Sequence, residues 1–133
     1  MDLQLPLGIV EYYAGISNIF LRWTIELLGF DPSMESGLEK ILETIPKNKR
    51  YYITIDIDAF DPSIAAGTGT PSHGGFYYYE ILELLDPIIK QGEVIGMDLV
   101  EVAPDYDLSF STSTLAAQLL MNAIGRILYY KNL

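Results

Sequence analysis

Two aspartates, Asp56 and Asp58, stand at the end of an apolar run and have the chemistry of metal ligands. The run from Tyr51 to Ile57 is typical of a buried β-strand, and the ligands of open α/β sheets gather where such strands end. Strand side chains two residues apart project to the same side about 6 to 7 Å apart, so two carboxylates can share a hard cation. Burying two carboxylates at a strand tip serves no packing purpose, which favours a metal site over a structural role.

A further carboxylate follows the next apolar run along the chain. Val94 to Val100 is typical of a second buried strand, and Glu101 comes directly after it. A glycine-rich loop from Asp58 to Gly75 separates the two runs. In this loop Asp61 precedes a proline and is interpreted as a turn residue, whereas His73, the one histidine of the sequence, is interpreted as an exposed loop residue.

Helices that alternate with these strands must position the carboxylates. The sequence from Ser36 to Glu39 has the spacing of a capping box and predicts a helix that ends at Pro46. Apolar residues at helical spacing predict a second helix over Glu80 to Lys90, with a kink or early stop at Pro87, and a third over Thr112 to Tyr130. This alternation predicts an α/β protein, a three-layer α/β/α sandwich with a mostly parallel sheet.

Composition and charge narrow the class of protein. The 133 residues are 50% hydrophobic, which is enough for the core of a single domain over residues 1–133. The 18 Asp and Glu against 8 Lys and Arg give a net charge of -10, which argues against nucleic acid or membrane partners and suits a cationic ligand.

Cysteine is absent, which excludes disulfides and thiolate chemistry. The absence of cysteine also favours an intracellular, cytoplasmic protein. Glu11, Arg22 and Glu26 interrupt the apolar N-terminal stretch, which is therefore interpreted as core-facing and not as a signal peptide or membrane span.

The N-terminal segment has the least regular pattern of the chain. Residues 8 to 29 mix aromatic and aliphatic residues without a clean period. They predict a strand or loop, followed by a helix that ends at Gly29.

Two other site types that use paired aspartates fit the sequence less well. An EF-hand calcium loop is rejected, because Phe60 and Asp61 stand where the loop requires an oxygen ligand and a glycine. The phosphotransferases of the haloacid dehalogenase type have a similar Asp-x-Asp motif, but with a threonine where this sequence has Phe60. Phosphotransfer therefore stays open as the weaker alternative.

The sequence resembles the arginase and agmatinase superfamily of ureohydrolases from about Gly37 to the C-terminus. Its motifs are more similar to those of the agmatinases than to those of the arginases. Residues 1–35 match this family poorly. Two blocks in the family's order carry the resemblance: Thr54 to Asp58 with Asp61-Pro62, Gly67 to Pro71 and Gly74-Gly75, and then Asp98 to Pro104.

The resemblance implies a metal-dependent hydrolysis of guanidino or amidine C–N bonds that releases urea. Asp56 matches the aspartate that bridges two Mn²⁺ ions, and Asp58 matches an aspartate that binds one of them. Thr70 and Glu101 match positions that face the substrate, with Glu101 as the catalytic carboxylate that receives the guanidinium group. A buried glutamate would do so through charge-assisted, bidentate hydrogen bonds. The resemblance also implies a small cationic guanidino substrate and assembly as a homo-oligomer.

The departures from the family concern the remaining metal ligands. The family site also uses several histidines and an Asp-Ala-His-x-Asp block. This sequence has a single histidine and no such block, so the chain resembles a partial, C-terminal half of the ureohydrolase fold. Two aspartates and water bind one divalent ion weakly and cannot bind two tightly. We therefore expect the chain to be incomplete for catalysis, with at most partial Mn²⁺ binding. The alternative is a degenerate, non-catalytic homologue that acts as a binding or regulatory subunit.

Overall fold

The computed structural model describes residues 9–13, 20–24, 42–43, 45, 47–71 and 73–132. Within these residues, a parallel pair of strands packs against two helices, and an antiparallel pair of strands precedes them. The elements in chain order are β1 (Ile9–Tyr13), β2 (Phe20–Thr24), β3 (Arg50–Asp56), α1 (Tyr78–Gln91), β4 (Glu93–Val100) and α2 (Ser111–Lys131).

Strands β3 and β4 pair in parallel, and α1 is the crossover that such a pair requires. In this register Asp56 lies opposite Val100, so the C-terminal ends of both strands meet at one edge of the sheet. This arrangement confirms the predicted α/β class and the parallel sheet. It also brings the two predicted strand tips together.

The core lies between the parallel strands and the helices. Alternation along β3 buries Tyr51, Ile53 and Ile55, and each of these side chains is at most 6% exposed. The two helices contact each other and both contact β4, so they form a layer on one face of the sheet. From α2, the fully buried Leu119 and Ala123 complete this core. The helical layer therefore fixes the strands whose ends carry the carboxylates.

Helix α1 runs through Pro87, so the predicted early stop is wrong. A proline inside a helix removes one hydrogen bond and costs about 3 kcal/mol. The apolar positions around it, Leu84, Leu85, Ile88 and Ile89, are all buried, and each such side chain contributes about 1.5–3 kcal/mol. Burial on both sides of Pro87 thus outweighs the lost hydrogen bond.

The N-terminal segment contains a strand where a helix was predicted. β2 pairs antiparallel with β1, from Ile9 opposite Thr24 to Tyr13 opposite Phe20, and β1 lies against β3. Aromatic and β-branched residues are enriched in β2, and such residues favour a pleated surface over a helix. Of the helix predicted after Ser36, only the end falls among the described residues, where positions 42–43 are helical. Neither α1 nor α2 is long and apolar enough to cross a membrane.

Candidate metal and substrate site

Asp56 is the last residue of β3, and its side chain caps the turn that follows. The Oδ1 atom of Asp56 accepts a hydrogen bond of 2.9 Å from the backbone N–H of Asp58. This Asx-type contact begins a 3-10 turn, Ile57–Ala59, and ends the strand one residue earlier than predicted. Asp58 therefore lies in the turn, and the prediction that strand alternation directs both carboxylates is wrong.

The side chain of Asp58 is positioned by two threonines of the glycine-rich loop. Thr68 donates its hydroxyl hydrogen to Oδ1 of Asp58, and Thr70 donates to Oδ2. Asp58 is only 8% exposed and Thr68 only 4% exposed. An ionised carboxylate has about four lone-pair sites, so both oxygens of Asp58 retain a site for a further ligand.

The sequence did not single out Thr68. The sequence feature that could have indicated it is the alternation Gly67-Thr68-Gly69-Thr70, which places a second threonine two residues before Thr70. Only the folded loop distinguishes the buried Thr68 from the exposed Thr70.

The end of the glycine-rich loop pairs with the residues that follow Asp58. The N–H of Phe76 donates to the carbonyl of Ala59 at 2.8 Å, and the N–H of Asp61 donates to the carbonyl of Phe76 at 3.1 Å. A Cβ atom on Gly75 would lie 2.6 Å from both the Ala59 oxygen and the Asp61 nitrogen. This close backbone contact requires glycine and closes the loop around the carboxylate.

Asp61 is a turn residue, as the sequence predicted. It accepts hydrogen bonds from the backbone N–H of Ser63 at 2.9 Å and of Gly74 at 3.1 Å. Hydrogen bonds from Ser63, with a further one from Gly74, lower the pKa of Asp61 below its ordinary value. His73 is exposed in the same loop, which confirms the second loop prediction.

Glu101 follows β4 at the sheet edge that carries Asp56. Its backbone φ of 64° is in the left-handed region, which residues other than glycine adopt at a cost and which is enriched at active sites. The side chain is exposed, so the expectation of a buried glutamate is wrong within the described part of the chain. The burial had been expected from the resemblance alone.

The carboxylates at this edge are close enough to influence one another. Burial raises the pKa of Asp56 above its ordinary value, a hydrogen bond from the Asp58 amide opposes this, and the charges of Asp58 and Glu101 raise it further. A bound cation would offset this repulsion. Carboxylate oxygens are ligands for hard cations such as manganese and magnesium, so Asp56 and Asp58 fit the metal site that the resemblance implies.

The described carboxylates do not amount to a complete set of metal ligands. Residues 47–71 and 73–132, with the shorter described segments, contain no group of three or more His, Cys, Asp or Glu that could hold a metal ion. A metal ion bound at these carboxylates would therefore need further ligands from outside these residues or from water.

A cavity of about 450 Å³ lies at the opposite end of the strands. Its lining includes Lys49, Arg50, Lys90 and Lys131, half of the 8 basic residues of the chain. This cavity is not adjacent to the carboxylates, and its basic lining repels a cationic guanidino compound. The strand-tip carboxylates are therefore the better candidate for the functional site.

A comparison with protein families identifies the family of this fold. The model of the arginase family matches residues 19–125. This match covers most of the chain, so the chain belongs to the arginase family.

The chain is similar to proteins named as a ureohydrolase, an agmatinase and an amidino hydrolase. The N(1)-aminopropylagmatine ureohydrolase of Thermus thermophilus is 43% identical over 88 residues, covering 66% of this chain and 29% of the relative. The agmatinase of Neisseria meningitidis is 40% identical over 94 residues, covering 71% and 30%. The solved structure of proclavaminate amidino hydrolase from Streptomyces clavuligerus matches with a TM-score of 0.63 at 33% identity, covering 70% and 30%. The matched part thus spans less than a third of each relative.

Proposed function

We propose that this chain takes part in the metal-dependent hydrolysis of a guanidino C–N bond with release of urea, by supplying one side of a two-metal site. The observation that carries the proposal is the convergence of Asp56, Asp58 and Glu101 at one sheet edge, with a loop that holds Asp58 from both sides. Membership of the arginase family and the names of the agmatinase relatives support it.

Asp56 and Asp58 have the role of metal ligands in this proposal. Both bring oxygen donors, and we propose manganese as the metal because its preference for oxygen suits this pair. When bound, two divalent cations supply water activated at neutral pH for attack on the guanidinium carbon. Thr68 and Thr70 keep the Asp58 carboxylate in one orientation by donating to both of its oxygens.

Glu101 receives the guanidinium group of the substrate. A guanidinium presents a planar fork of N–H donors, and a carboxylate accepts two of them at once in a charge-assisted pair. Thr70 faces the same substrate from the loop. Its hydroxyl hydrogen is already donated to Asp58, so only its oxygen lone pairs remain, and these accept a substrate N–H. The substrate class is therefore a small cationic guanidino compound.

A manganese titration of the purified chain, followed by the electron paramagnetic resonance of free Mn²⁺, tests the proposal. We expect weak binding by the unmodified chain, because two carboxylates and water are a sparse ligand set. Asp58→Asn should abolish this binding. Asp61→Asn is the matched control, since that carboxylate is occupied by turn hydrogen bonds and its loss should leave Mn²⁺ affinity unchanged. Absence of binding in the unmodified chain would overturn the proposal and favour a non-catalytic subunit.

A urea assay with agmatine and arginine accompanies the titration. The chain with Mn²⁺ should release no measurable urea, because the described residues contain no group of three or more His, Cys, Asp or Glu that could hold a metal ion. Urea release that Asp56→Ala abolishes would contradict this expectation, and would mean that the chain's own residues complete the site.

A further inference from the structure

Asp107 is a buried carboxylate that lies outside the metal and substrate residues. It is 4% exposed, and its Oδ2 atom accepts hydrogen bonds from the backbone N–H and the hydroxyl of Ser113, at 2.9 and 3.1 Å. Ser113 is in the first turn of α2, where backbone N–H groups lack helical partners. These contacts fix Asp107 against the N-terminus of the helix.

Gly67 packs directly against Asp107 and Thr112 at the start of α2. A Cβ atom on Gly67 would lie 2.5 Å from Cβ of Asp107 and 3.0 Å from the Thr112 hydroxyl oxygen. The N–H of Gly67 donates to that hydroxyl oxygen at 2.8 Å, and the carbonyl of Gly67 accepts from the N–H of Ala103 at 2.8 Å. The loop is thus anchored at Gly67 by the start of α2 and by the segment after β4.

The residue after this anchor is Thr68, which donates to Asp58. We propose that Thr112 is a positioning residue for Asp58, because its buried hydroxyl fixes Gly67 and thereby the threonine that orients the carboxylate. Asp107 supports the role of Thr112, because Gly67 packs against the Asp107 side chain. The importance of this orientation for metal binding rests on the proposed function, whereas the positioning itself does not.

A purely structural role for Thr112 predicts a different result from a positioning role. Thr112→Val keeps the branched shape in the helix but removes the oxygen that accepts from Gly67, and leaves a buried N–H without that partner. Thr112→Ser keeps the oxygen and should restore the anchor. Leu119→Val is the control for general loss of stability, because Leu119 is fully buried on the same helix, seven residues beyond Thr112, and supplies no hydrogen bond to Gly67.

The experiment combines nuclear magnetic resonance with the Mn²⁺ titration on the folded chain. In the unmodified chain, the Thr68 hydroxyl proton should exchange slowly enough to be observed, because it is buried and bonded to a carboxylate. Thr112→Val should lose this signal and bind Mn²⁺ about tenfold more weakly, because it releases Thr68, and loss of a partner of a metal ligand lowers affinity by about that factor or more. Thr112→Ser and Leu119→Val should keep the signal and an affinity within about twofold of the unmodified chain, well inside that tenfold effect.

Two results would overturn the positioning role. One is a Thr68 signal that persists in Thr112→Val, and the other is an equal loss in Thr112→Ser. The Thr68 hydroxyl signal is observed without metal, so it tests the positioning role of Thr112 independently of the proposed function. If it behaves as expected while the unmodified chain binds no Mn²⁺, the positioning role stands and the proposed function fails.

Discussion

Replacing Thr68 with valine tests whether the glycine-rich loop stabilises Asp58 as the structure implies. Valine has the shape of threonine but cannot donate, so Oδ1 of the nearly buried Asp58 loses its partner. A hydrogen bond to a charged group contributes about 1.5–3 kcal/mol to stability. With a urea dependence of about 1–3 kcal/mol per molar, the midpoint of unfolding in urea should fall by roughly 1 M. Circular dichroism during urea denaturation measures this shift.

Thr70→Val is the matched control, since it removes the donor to the other oxygen of Asp58. Thr70 is exposed, so water can replace the lost hydrogen bond, and we expect a change within about 0.5 kcal/mol. Equal shifts in the two variants would refute the argument that burial makes Thr68 the more important donor. An unchanged midpoint in Thr68→Val would refute it as well.

Two further predictions concern the loop and the helix that flank the site. Gly75→Ala should lower the free energy of unfolding by about 1–3 kcal/mol, because the new Cβ meets backbone atoms that cannot move aside, whereas Gly69→Ala places its Cβ in open space and should cost nothing comparable; thermal denaturation compares the two. Burial would raise the pKa of Asp107, but hydrogen bonds from Ser113 and neighbouring amides outweigh it and hold the pKa below its ordinary value. The ionised Asp107 therefore stabilises the fold above about pH 4, and this contribution is lost as the pH falls through the lowered pKa. Denaturation at several pH values should show a shallower acid dependence for Asp107→Asn, and an unchanged acid dependence would contradict this.

The sequence was sufficient to predict the elements that carry the candidate site. The β3 run was predicted as Tyr51 to Ile57 and is Arg50–Asp56, and the β4 run was predicted as Val94 to Val100 and is Glu93–Val100. Such runs of apolar β-formers between turn residues are local signals, and their parallel pairing follows from the intervening helix.

The position of Asp58 could not be predicted because two contacts at different sequence distances determine it. The local contact is the hydrogen bond from its amide to Asp56, which converts the end of the strand into a turn. The distant contact is the loop, whose Thr68 is ten residues further along the chain and is anchored by Thr112 in α2. Periodicity describes neither, since both depend on side chains that meet only in the folded protein.

The strand β2 was missed for a related reason. The segment from Phe20 to Thr24 has no periodicity that separates a strand from a helix. Its conformation is set by pairing with β1, which lies against β3 at the centre of the described fold. Pairing partners are a tertiary property, and a short apolar run does not reveal them.

A crystal structure of the chain soaked in Mn²⁺, with anomalous scattering recorded at a wavelength that identifies manganese, would show whether Asp56 and Asp58 bind the metal. We expect an anomalous peak within about 2.0–2.6 Å of a carboxylate oxygen of both Asp56 and Asp58, as hard cations require. A peak elsewhere on the acidic surface, with none at these two residues, would contradict the account.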